Sequence, residues 1–445
     1  MMRAAFIAAG LAVAVHARVL EVGQESRSIQ AAVDAAAPGD VLRIAAGRYE
    51  GNLVLHKPVA LEGAGGPIIR GTGAGSVVTI TAPGCVVKGL VIERSGGMLM
   101  DEDSGILLKS GGNAIVDNEL RDVLFGVYLL RSSGNTVRGN RITGRRHLEL
   151  GERGAGIHVY DSEDNVFDGN RVADMRDGLY LQNANRSRIA RNHVSRVRYG
   201  LHYMYSNSNE FDENVFERNV AGAAIMYSRN IRLRRNSFIH NRGFSSFGIL
   251  FQDSDDLVVE QNVIADNGVG LFLETLRSSE FRENLVAAND IAIEIFASCS
   301  RNRFTRNNFT GNLSPIWLVG KRTDTAWNTE QAGNYWSEYD GYDLDADGIG
   351  DVPYRIQNFF EHLEGNYPRL RLYFFSPASQ ALAFAERAFP VLEGSKEIDR
   401  RPLVRPASLP VRMPDEGTDG GVAGLAIPIS MVACGVLLLA KGRFS

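Results

Sequence analysis

Three stretches decide the fold: RSRIARNHV at residues 186–194, SNEFDENVF at 208–216 and IRLRRNSF at 231–238. In each, an asparagine (Asn192, Asn214, Asn236) has an apolar residue three positions before it and another two positions after it. Working outward, the same register holds at Asn118, Asn140, Asn170, Asn262, Asn284 and Asn307, and successive gaps along the chain are 22, 30, 22, 22, 22, 26, 22 and 23 residues. Inward apolar positions at fixed offsets from one polar corner are the pattern of a solenoid, whose coils bury themselves only against their neighbours. The leucine comb of leucine-rich repeats is absent. Asparagine suits the corner because its short amide tolerates left-handed backbone and can stack in a ladder. The pattern predicts an all-β chain: a right-handed parallel β-helix of about 22-residue coils over residues 18–316, with Ile189, Phe211, Leu233 and Val259 in one interior column.

Fourteen residues before most of these asparagines stands a glycine, as at Gly178, Gly200 and Gly222, followed by a short strand. The first and third residues after the glycine are apolar, so the second and fourth face outward. The two long gaps place insertions at residues 145–153 and 243–247, and loops added to a solenoid often line its working face. Upstream, SIQAAVD at 28–34 reads as a short helix capping the open core. Residues 317–390 read as a C-terminal module with an Asp-rich loop and a helical tail at 376–389, and residues 391–421 as a linker rich in Pro and charge.

Both ends carry targeting signals. Residues 1–17 have a basic start, an apolar run and a Val15-His16-Ala17 cleavage pattern, which predicts an exported protein. Residues 422–440 hold no charge and precede Lys441 and Arg443, which predicts a transmembrane helix anchoring a periplasmic body to the inner membrane. Formal net charge is −4, so no basic field exists to hold nucleic acid. Cys434 falls in the predicted anchor. Cys85 and Cys299 lie several coils apart, about 40 Å at about 4.8 Å per coil, and read as unpaired buried thiols.

Two constellations could hold metal. Asp343, Asp345, Asp347 and Asp351, with Gly348 and the Ile349 carbonyl, have the spacing of a loop that converges hard oxygens on Ca²⁺. The position where an EF-hand places bidentate Glu is Tyr354, so the site would be structural and of another kind. The second constellation lies on the outward strand positions, which carry His158 and Tyr160, Tyr180 and Gln182, His202 and Met204, and Met226 on successive coils. Imidazole beside thioether suits copper. The alternative is that this patch packs under an insertion such as the 145–153 loop, or docks an apolar partner surface. For catalysis no residue is assigned: there is no Asp-Pro-His-Asp stretch, no gathered aspartates with arginine on an outward face, and Asp253, Asp255 and Asp256 fall in a turn.

Taken together, the SIQAAVDAAAPGDVLRIAAGRYEGN segment, the Asn-cornered coils and GNYWSEYDGYDLDADGIGDVPY resemble the NosD family of periplasmic maturation proteins of nitrous oxide reductase. The resemblance implies a non-enzymatic accessory protein. Its partners would be an ABC transporter made of NosF and NosY, the reductase and a copper chaperone, and it would help supply copper or sulfur to the copper-sulfide centre. The rival readings are a polysaccharide lyase or epimerase, since such enzymes share this solenoid, and a surface adhesion scaffold.

Overall fold

The computed structural model describes residues 17–23, 28–243, 245–320, 322–356, 381 and 397–411. The predicted signal peptide up to residue 16, the 376–389 helix apart from residue 381, and the 422–440 span lie outside them. Among the described residues no helix is long and apolar enough to cross a membrane.

Each coil contributes one strand to each of three parallel sheets of 12, 14 and 13 strands. One coil illustrates the rest. The long strand Tyr199–Met204 belongs to the first sheet, Glu210–Asp212 to the second and Val215–Glu217 to the third, with Asn214 at the corner between the last two. Strand alternation turns Leu201 and Tyr203 into the core and His202 and Met204 outward. The predicted column is present: Ile189 pairs with Phe211, Phe211 with Leu233 and Leu233 with Val259, and all four are buried.

The corner asparagines form a continuous ladder. Asn192 Nδ2 donates to Asn214 Oδ1 at 2.9 Å, Asn214 to Asn236 at 2.9 Å and Asn236 to Asn262 at 3.1 Å. Each amide also receives the backbone N–H of the preceding coil's asparagine, as Asn192 N to Asn214 Oδ1 at 3.0 Å. Buried polar corners are thus satisfied coil by coil. A second ladder, unread in the sequence, runs five residues further on: Asn241 donates to Asn267, Asn267 to Asn289 and Asn289 to Asn312, at 2.9, 3.0 and 3.0 Å.

The glycines that open the long strands are demanded by contact. A Cβ on Gly200 would lie 2.5 Å from the Gly222 carbonyl oxygen and 2.8 Å from a Phe216 ring carbon. At the first end, the helix Ile29–Ala35 starts at Ser28, whose Oγ accepts from Ala31 N at 2.9 Å, and buries Ile29 and Val33 in the core of the first coils. Cys85 and Cys299 are free and buried.

The far end departs from the sequence reading. The solenoid does not stop at residue 316: Ser314–Val319, Asp324–Ala326 and Tyr335–Trp336 add a further coil, and Asn334 extends the ladder by accepting from Asn307 Nδ2 at 2.8 Å. Nor is all of 391–421 a linker. Residues 397–411 return onto the body, where Ile398–Asp399 pairs with Tyr354–Arg355. Buried Glu397 accepts from Trp327 Nε1 at 2.7 Å, and buried Asp399 accepts from Asn334 N at 2.7 Å and Trp336 Nε1 at 3.0 Å. The carboxylates thereby close the terminal coil. Further along, Val411 packs against the outer face of the third sheet around Ile239, Val263 and Leu285.

Candidate metal centre

The outward face of the first sheet carries the candidate site. Its central column is Tyr128, His158, Tyr180, His202 and Ala224, neighbours on successive strands. Strand geometry alone fixes that neighbourhood at about 4.8 Å per step. Two positions along, the column reads Tyr160, Gln182, Met204, Met226 and Gln252. Met204 and Met226 are therefore direct cross-strand neighbours, with His202 on the same face of Met204's strand.

The four residues proposed for copper divide. His158 is stacked between Tyr128 and Tyr180, with ring centroids at 4.3 and 4.4 Å, and Tyr180 stands between it and His202. Leu148 of the 145–153 insertion packs on the adjoining apolar cluster of Leu107, Leu124, Phe125, Tyr128 and Ala155. The insertion thus packs beside the aromatic stack that holds His158, whereas His202 and Met204 lie two residues apart on one strand and Met226 is the neighbour of Met204 on the next. Burial, with Arg176 nearby, pushes the His158 imidazole down to about 3 and keeps it neutral.

Sequence reasoning missed Asp177, which precedes the strand glycine and carries no motif. It is fully buried and binds Arg198 through two contacts, Nε to Oδ1 at 2.9 Å and Nη2 to Oδ2 at 2.7 Å. His202 Nδ1 lies 3.2 Å from the same carboxylate. Burial opposes the charge on Asp177, but the hydrogen bonds from His202 and Arg198 outweigh it and hold the carboxyl at about 2. A carboxylate on Nδ1 fixes the proton there and leaves Nε2 as the nitrogen with a free lone pair, the arrangement that supports a histidine metal ligand.

The Asp-rich loop converges in part. Carboxylate oxygens of Asp343, Asp345 and Asp347 lie within 4.8 Å of one another. Asp351 instead closes the loop by accepting from Leu344 N at 2.8 Å, and Gly348 makes the turn at φ 88° while donating to Asp343 at 2.9 Å. The Ile349 backbone bridges to Leu403, and Gly350 N donates to Pro402 O at 2.8 Å, so the loop is joined to the returning segment. Among the carboxylates in the turn after the Phe247–Gln252 strand, Asp255 pairs with Arg277 at 3.3 Å.

Comparison with known proteins places the chain. The profile of a family described as "Periplasmic copper-binding protein (NosD)" matches residues 140–341. A probable ABC transporter binding protein NosD from Pseudomonas aeruginosa is 38% identical over 82% of this chain and 89% of its own length, and one from Stutzerimonas stutzeri is 33% identical over 82% and 86%. Among solved structures, the catalytic unit of a thermostable GH87 α-1,3-glucanase from Streptomyces thermodiastaticus superposes with a TM-score of 0.55 at 15% identity, over 72% of this chain and 69% of that one. At that identity the likeness is one of fold alone. The extent and identity of the two relatives, with the family profile over the central coils, show that this chain belongs to the NosD family.

Proposed function

We propose that this chain is a periplasmic accessory protein that holds or relays copper, or the sulfur that accompanies it, during assembly of the copper-sulfide centre of nitrous oxide reductase. The observation that carries the reading is the adjacency of Met204 and Met226 beside a histidine oriented by a buried carboxylate, in a family described as periplasmic copper-binding. Two thioethers and one imidazole form a donor set suited to Cu(I), and the thioethers carry no proton to lose before binding. His202, Met204 and Met226 are the ligands in this reading, Asp177 positions His202, and His158 belongs to the packed shell. An ABC transporter is the membrane partner, as the names of the relatives suggest; in this reading it is of the NosF and NosY kind, and the reductase and a copper chaperone are the other partners. Ca²⁺ has a structural role at Asp343, Asp345 and Asp347, with the Ile349 carbonyl, where it would hold the loop to the returning segment.

The test is deletion of the gene and purification of the reductase from that strain. The reading expects an enzyme without its sulfide-bridged copper cluster, and a fully loaded cluster would contradict it.

A further inference from the structure

Methionine normally fills cores, yet of the five methionines among the described residues only Met175 is buried. The other four form two pairs. One is Met204 and Met226. The other is Met98 and Met100, which with Leu99 between them are 58%, 90% and 36% exposed. Met100 lies on, and Met98 immediately precedes, a single 3₁₀ turn, Leu99–Asp101, in the loop leading from Val91–Glu93 into the long strand Ser104–Leu108.

This tip is presented on an anchored base. Asp103 Oδ2 accepts from Met98 N at 2.9 Å, Asp101 N donates to Met98 O at 3.2 Å, and Tyr128 Oη donates to Glu102 Oε1 at 2.7 Å. Glu102 is held at φ 58° to turn the chain back. Met98 also lines a recess of about 340 Å³ with Thr79, Asp101, Leu107 and Lys109. Three large apolar side chains in water on a braced loop forgo the burial that such residues usually gain.

We propose that Met98 and Met100 form a second thioether site for a soft monovalent cation of the Cu(I) class, separate from Met204 and Met226. Two unbranched side chains two residues apart can bring their sulfurs to either side of one ion, and thioether lone pairs are free at every pH. Four strand steps, about 19 Å, separate the strand that this loop opens from the strand of Met204, so the two pairs fill independently. The inference rests on the reading that copper is the cargo, and it adds a solvent-facing acceptor at the head of the same sheet.

The experiment is NMR of the full chain carrying ¹³C-methyl methionine, titrated with Ag(I) as a redox-silent probe. Met98 and Met100 methyl signals should move together and saturate at one equivalent, Met204 and Met226 at another, and Met175 should stay fixed. The M98L/M100L variant should lose the first transition and one equivalent of bound Cu(I) while keeping the second. Met98 and Met100 signals that stay put while Met204 and Met226 saturate would overturn the loop site alone. The reverse pattern would support the loop site and remove the ligands assigned under the proposed function.

Discussion

Asp177 is the residue on which the site turns, because it is fully buried, charged and shared between Arg198 and His202. Replacing it by Asn frees His202 to adopt either tautomer, and loss of such a supporting partner typically costs about 10–100-fold in metal affinity. Cu(I) competition with a chromophoric chelator should show that loss for Asp177→Asn, and unchanged affinity would remove its positioning role. The same residue predicts a pH signature. Its carboxyl is held at about 2 in the folded chain, below the unfolded value of about 3.9, so its contribution is present above pH ~4 and is lost as pH falls through about 2. Urea unfolding should find Asp177→Asn destabilised by about 2 kcal/mol at neutral pH, with the deficit shrinking between pH ~4 and ~2. At this scale the sequence was legible where a residue's direction follows from strand alternation, as for His202, Met204 and Met226. It was silent on Asp177, whose importance comes from Arg198 and His202 one coil later.

Elements of this solenoid are held by rows that run across coils. Asn214 gives its Nδ2 to Ile189 O and Asn236 Oδ1, and its Oδ1 receives both Asn192 N and Asn192 Nδ2. Asn214→Ala strands several buried groups at once, so chemical denaturation should register a loss of about 3 kcal/mol, and a near-neutral effect would contradict the ladder's structural weight. Gly200→Ala should cost about 1–3 kcal/mol, because the new methyl must displace the Gly222 carbonyl or the Phe216 ring. The Asp-rich loop gives a third expectation: Ca²⁺ at a hundredfold over its Kd should stabilise the chain by about 3 kcal/mol, and Asp343→Asn with Asp345→Asn should abolish the gain. A melting temperature indifferent to Ca²⁺ would remove metal from the loop. The first asparagine ladder could be read because every member has the same two apolar flanks. The second, at Asn219, Asn241, Asn267, Asn289 and Asn312, lies five residues on and was equally present as a spacing.

Across the whole molecule, the abundant arginines follow the same coil-to-coil logic. Arg191 reaches Asp168 at 2.6 Å and Arg235 reaches Asp212 at 2.9 Å, each joining adjacent coils of the outer wall. The repeat made the length and handling of the core readable from Asn118 to Asn307, but its last coil hid behind a 27-residue gap before Asn334. The return of residues 397–411 was also illegible. A stretch rich in Pro and charge reads as linker, and only the unfilled end of the solenoid tells where Glu397 and Asp399 must go. Burial pushes the Asp399 carboxyl up despite its hydrogen bonds. The proposed copper ligands lie on the outward face of the long-strand sheet. Their most direct test is the Cu(I) affinity of the full chain carrying His202→Ala, Met204→Leu and Met226→Leu together, measured by chelator competition with folding checked by circular dichroism. The triple variant should fold and bind Cu(I) at least about 100-fold more weakly, as loss of all three ligands requires; a folded variant that binds Cu(I) as tightly as the parent would rule out these ligands.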